Sequence, residues 1–187
     1  MQREQNPTRG FLMSTGLDPA ILVEFQYNPA QLTDKRAVSY ATLNAPGLLL
    51  PVRQYSQGGD RTLSFAIKID GLFKGPADDE IDIAQDDDGS ITPELNKYRA
   101  FLYPRNSAWQ DATDSFQPLY AQTASFESPP ACIFGFGDRL IDCIVTDVGI
   151  TETLFNAQLK PLRADVTVTL VETAVYGNEP VPVPAGG

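Results

Sequence analysis

Apolar side chains in this sequence recur at every second position in short runs, and each run is closed by glycine, proline, asparagine or aspartate. Ile21, Val23, Phe25 and Tyr27 make the first such run, which Asn28-Pro29 ends, because proline fixes its own φ and drives the preceding residue out of the helical region. Residues 35–40, with Val38 and Tyr40 on one side and Ala37 and Ser39 on the other, form a weaker second run. Gly58-Gly59-Asp60 then precedes residues 61–69, where Leu63, Phe65, Ile67 and Ile69 share one face and Thr62, Ser64, Ala66 and Lys68 the other. These periods predict strands.

Residues 131–150 read as a hairpin closed at Gly137-Asp138, a turn that pairs Phe136 with Arg139, Phe134 with Ile141 and Cys132 with Cys143. Opposed cysteines lie within the span of a disulfide, and the alternative is two buried thiols. Residues 151–162 are expected to be the distal loop of a second hairpin, with Asn156 near its tip, before a strand over 163–172 that points Ala164, Val166, Val168 and Leu170 inward. Phe65, Phe134 and Val168 are the expected core.

One segment breaks the period-two pattern. Leu95, Tyr98, Phe101 and Leu102 fall on one side of a helix over about 92–103, with Thr92 as cap, Pro93 in the first turn, Pro104 as stop, and Glu94, Lys97 and Arg105 in water. The rest is expected to be loop or arm: residues 1–18, an acidic loop over 75–91, an insertion over 106–128 and a Pro-rich tail over 176–187. Residues 19–175 would then form a single mainly β domain, a barrel or sandwich with one helix and long loops. Leu48, Leu49 and Leu50 are contiguous leucines in the punctuated stretch 44–57, so they either fold back on their own domain or meet another subunit. Trp109, in the insertion, is a candidate interface anchor, with packing over the core as the alternative.

Composition narrows the function. The chain has 187 residues and a net charge of −10, from 24 acidic and 14 basic residues, which opposes specific nucleic-acid binding through a basic surface. An acidic surface would suit a channel through which DNA slides, or simply solubility. No run reaches the roughly 20 apolar residues of a membrane span, and the N-terminus lacks the apolar segment of a signal peptide. The expected setting is thus a reducing one, without membrane contact.

Candidate chemistry is sparse. There is no histidine, no phosphate-binding glycine loop followed by lysine, and no Gly-x-Ser-x-Gly. Asp86 and Asp88 suit positions three and five of a calcium loop with Gly89 at six, yet positions one and twelve are Ala84 and Leu95. A glycosidase needs only two carboxylates, but among 24 acids some pair always qualifies by chance. No catalytic residue, cofactor or metal site is therefore assigned. A sugar-binding or adhesive β-sandwich is compatible with the same strands.

Phe25-Gln26-Tyr27-Asn28-Pro29 with Leu32, then Ala45-Pro46-Gly47, then Gln54-Tyr55, Gly58-Gly59 and Arg61-Thr62-Leu63-Ser64-Phe65 occur in an order that resembles the tube-like domain of baseplate-hub proteins in contractile injection systems, including contractile phage tails. The resemblance resumes at Pro129-Pro130 to Phe136 and over 163–172. It implies a homohexameric ring, coaxial with an inner tube protein and joining that tube to baseplate hub or spike proteins, with DNA or another payload passing through its lumen. It also implies assembly in the bacterial cytoplasm, incorporation into a tail or injection particle, and no catalysis. Longer members continue into a peptidoglycan-binding module that has no counterpart in this sequence. Under this reading the subunit contacts are Leu48, Leu49, Leu50, Trp109, Asn156 and Leu159.

Overall fold

The structure, a computed structural model, describes residues 8–16, 20–43, 50–73, 83–103 and 128–173. Among them, seven strands make one antiparallel sheet: β1 (Phe11–Ser14), β2 (Leu22–Glu24), β3 (Leu32–Leu43), β4 (Val52–Asp70), β5 (Ala131–Phe136), β6 (Arg139–Phe155) and β7 (Pro161–Glu172). Helix α1 spans Thr92–Ala100. The order across the sheet is β2-β1-β5-β6-β7-β4-β3. The expected mainly β unit with one helix is therefore what the chain forms. The sheet stays open, however, and does not close into a barrel.

It does curl. Phe25 follows the first strand in the order and Phe65 sits on the sixth, yet their rings lie 5.4 Å apart. Phe134 stacks on Phe65 at 5.0 Å, and these rings join Leu12, Leu63, Val166, Val168 and Leu170 in one buried cluster. Leu95, Tyr98 and Phe101 of the helical segment complete that cluster, and α1 lies against β2 and β6. Each fully buried aliphatic or aromatic side chain contributes about 1.5–3 kcal/mol of apolar transfer.

The motif around Asn28 braces the curled sheet at its gap. Gln26 Nε2 donates to the Asp70 carbonyl at 3.0 Å, and the Asp70 N–H donates back to Gln26 Oε1 at 2.7 Å. Asn28 Oδ1 accepts from the Gly10 N–H at 2.8 Å, while its Nδ2 donates to the Thr8 carbonyl at 2.9 Å.

Several expectations need correction. Residues 11–14, placed in an N-terminal arm, are strand β1, paired with β2 and β5, and bury Leu12 and Ser14. Residues 52–57, placed in a loop, belong to β4, and most of 151–162 is ladder, leaving only 156–160 as the turn. The helix ends three residues earlier than expected. Its N-cap is Ile91 without a side-chain cap, and Ser90 Oγ instead accepts from the Thr92 N–H. Glu94 is buried, not wet: its Oε2 accepts from the Ala84 N–H at 3.1 Å and from Lys97 Nζ at 2.7 Å, which compensates its desolvation.

The β5–β6 hairpin has the register that its turn dictates, Phe136 with Arg139, Phe134 with Ile141 and Cys132 with Cys143. Gly137, at φ +63°, supplies the turn's left-handed residue. Both cysteines are free and buried. Burial, with the neighbouring Cys143 second, pushes the Cys132 thiol up to about 12, and burial does the same for Cys143.

Candidate assembly interface

Two hairpins leave the body of the fold. In the larger, β3 pairs with the N-terminal half of β4 from Arg36↔Arg61 to Leu43↔Val52. Every residue of β3 from Thr33 onward is exposed, and so is β4 from Val52 to Asp60. A strand with solvent on both faces gains nothing from alternation, and this arm carries apolar groups in water: Val38, Tyr40, Leu43, Val52 and Tyr55 are each at least half exposed, and Leu50 is 78% exposed. Tyr40 and Tyr55 meet edge to face at 6.1 Å.

Register shifts between Arg36 and Val38 and between Ser39 and Tyr40 bulge the arm. Space is tight beside Gly59. A Cβ on Gly59 would stand 3.0 Å from the Ala37 carbonyl oxygen.

Arg61 clamps the arm's base. Its guanidinium donates to both oxygens of Asp34 and, at 3.0 Å, to Glu172 Oε1, while Arg36 reaches Glu172 at 3.7 Å. The hydrogen bonds from Arg61 hold the Asp34 carboxyl below its usual range. Three adjacent strands, β3, β4 and β7, are thereby tied together where the arm leaves the body.

The smaller projection is the β6–β7 turn. Asn156 Oδ1 accepts from the N–H groups of Gln158 and Lys160, at 3.0 and 2.9 Å, so this side chain organises its own turn. Leu159 takes a left-handed φ of +60° and is 81% exposed. Lys160 pairs with Asp88 at 2.8 Å and reaches Asp86 at 3.7 Å, and the first contact lowers the Asp88 carboxyl. The two residues considered for calcium thus have a cation of the protein's own. Among the described residues, no group of three or more Cys, Asp or Glu side chains is placed to hold a metal ion.

Of the candidate contact residues, Leu50 and Leu159 lie at opposite ends of the fold and are exposed, and Asn156 is half-buried within its turn. Leu48, Leu49 and Trp109 lie outside the described residues, as does the 106–128 insertion apart from Ser128. The outer half of the β3–β4 arm was missed from sequence, because Pro51 and Gly58-Gly59 bracket it as they would a loop. The signal available was Val52 and Tyr55 facing Leu43 and Tyr40 across it.

Among the described residues, a long open edge strand and a protruding ladder with exposed aromatic residues define a β protein with an edge open to further strand pairing. Residues 13–179 match the profile of the contractile injection system tube proteins, and the chain belongs to that family. It is a tube-type structural protein of such a system. No curated protein matches the sequence.

Proposed function

We propose that six copies of this chain form a ring, coaxial with the inner tube, which joins the tube to the baseplate hub or spike. The observation that carries the reading is the inequality of the sheet's two edges. β2 is three residues long and backed by α1, whereas β3 is twelve residues long and presents its outer N–H and C=O groups to solvent. Unlike edges favour head-to-tail contacts, and such contacts make rings when the rotation closes.

In this reading the partners are further copies of the chain, the inner tube protein and the hub or spike. The payload crosses the lumen, no cofactor takes part, and the ring's work is mechanical. Assembly takes place in the bacterial cytoplasm, and the product is a tail or injection particle. The domain division belongs to the same proposal, with the insertion over 106–128 and the tail over 176–187 as attachments and with the N-terminal boundary moved ahead of Phe11. Leu48, Leu49, Trp109 and Asn156 stay as proposed contacts beside Leu50 and Leu159.

Imaging of intact particles tests this directly. Six copies at the junction of tube and baseplate are expected. Copies repeated along the whole tube would make this chain the tube subunit instead, and absence from the particle would end the proposal.

A further inference from the structure

We propose that residues 174–187 fold back over the outer face of the β5–β6 hairpin and cover its apolar side chains. The inference goes beyond the ring reading and is independent of it.

Register puts an apolar surface on the side of the sheet away from the core. Leu12, Cys132, Phe134, Ile141 and Cys143 are buried inward, so the residues that alternate with them face outward. Phe11 pairs with Gly135, which pairs with Leu140; Met13 pairs with Ile133; and Ile144 pairs with Val171. These side chains therefore adjoin one another across β1, β5, β6 and β7. The Phe11 ring lies on Gly135, where a Cβ would collide with it. Leu140 is 73% exposed and Ile144 is 37% exposed. Charge enters this face at Asp142, opposite Ile133, and at Glu24, opposite Phe11. An apolar surface made of several adjoining side chains marks a contact.

The path of the chain says what makes that contact. Thr173, the last described residue, donates its N–H to the Asp142 carbonyl at 2.9 Å, so the chain is still alongside β6 where residues 174–187 begin. Continuing the register of Cys143 with Glu172 brings Val175 opposite Leu140. Leu140, two residues from Asp142, turns its N–H and C=O the same way as Asp142, and among the described residues no strand pairs with that edge of β6 ahead of Cys143. Gly177-Asn178 then supply turn chemistry, and Pro180, Pro182 and Pro184 alternate with Val181 and Val183. Proline lacks the N–H of a ladder, so this stretch suits an extended polyproline helix laid on an apolar and aromatic surface rather than another strand. Glu179 is its one charged side chain. Residues 174–187, fully extended, reach about 45 Å, and the face from β6 to β1 is about 10 Å across. A segment joined to the sheet meets this face at an effective concentration on the order of millimolar, which favours it over a separate chain.

The experiment compares the full chain with one ending at Thr173. Amide exchange at Leu140 is followed by NMR, and oxidation of Met13 by hydrogen peroxide is followed by mass spectrometry. Removing residues 174–187 is expected to speed exchange at Leu140 about tenfold and Met13 oxidation about fivefold, with exchange at Leu63, Phe65 and Ile67 unchanged. Val181→Asp with Val183→Asp keeps the length and should raise Met13 oxidation by itself, a check that holds if the shorter chain folds poorly. Equal rates at Leu140 and Met13 in both chains would overturn the proposal. A change at Leu140 without one at Met13 would overturn the crossing of the face. Protection that fades as the full chain is diluted would overturn the choice of cover and assign the face to a second copy. The place of this chain in particles is read separately by imaging, so each of these outcomes leaves the ring reading as it stands.

Discussion

The side-chain amide of Gln26 bonds both backbone groups of Asp70, accepting from its N–H at 2.7 Å and donating to its carbonyl at 3.0 Å. A neighbouring strand would satisfy a residue in the same way. Gln26 thus stands in for a ladder at the gap where the curled sheet fails to close, and it gives a physical role to the second residue of the Phe-Gln-Tyr-Asn-Pro stretch. Gln26→Ala removes both bonds and strips the Asp70 N–H of that partner, while the Asp70 carbonyl keeps only the longer bond from the Phe73 N–H at 3.3 Å. A loss of about 2 kcal/mol is expected, read as a lower midpoint in urea with an unchanged slope.

Phe134 lies at the centre of the aromatic cluster, between Phe65 at 5.0 Å, Phe136 at 6.2 Å and Phe25 at 6.3 Å, and is fully buried. Phe134→Ala is expected to cost about 3–5 kcal/mol, as measured by chemical denaturation. A cost below about 1 kcal/mol would mean that the curled sheet repacks around the cavity.

The two thiols give the fold a pH dependence whose sign follows from burial. Their folded pKa values, pushed up to about 12, exceed the ordinary 9.0. The neutral form is thus favoured in the folded state, and this contribution is complete below pH 9.0 and lost as pH climbs towards 12. Unfolding midpoints should fall between about pH 9 and pH 11 more steeply in the parent than in Cys132→Ala/Cys143→Ala. A thiol-reactive disulfide reagent should label the native chain slowly and the urea-unfolded chain at once.

Arg61 should govern how firmly the arm is held. In Arg61→Met, amide hydrogens of residues 36–43 and 52–60 are expected to exchange faster, while those of β5 and its partner residues in β6 keep their parent rates. Asp34, whose folded carboxyl is lowered by Arg61, contributes above its unfolded value of 3.8 and loses that contribution as pH falls through the depressed one. Acidification of the parent should therefore move arm exchange towards that of the variant.

How much of this was legible in the sequence depended on burial. Where one face of a strand is covered, alternation revealed it: Leu63, Phe65, Ile67 and Ile69 are all buried, as are Ala164, Val166, Val168 and Leu170. The β5–β6 register was legible because a two-residue turn fixes it. The outer arm was not, since a ladder wet on both faces needs no period-two pattern. β1 was hidden by its shortness, four residues of which only Leu12 and Ser14 are buried. Glu94 was misplaced because local periodicity cannot show that Ala84 and Lys97 close around its carboxylate. Of the contact candidates, Leu50 and Leu159 are exposed, and Asn156 bonds within its own turn.

The irregular ladder of the arm also bears on an unwanted assembly. Two copies placed edge to edge about a twofold axis would pair β3 with β3 antiparallel, a sealed dimer that ends growth. The register shifts between Arg36 and Val38 and between Ser39 and Tyr40, whose extra residues lie in β4, increase the local twist of the ladder and so oppose the flat edge that such a pair requires. The twist that holds the arm out from the body thus also disfavours its pairing with a copy of itself.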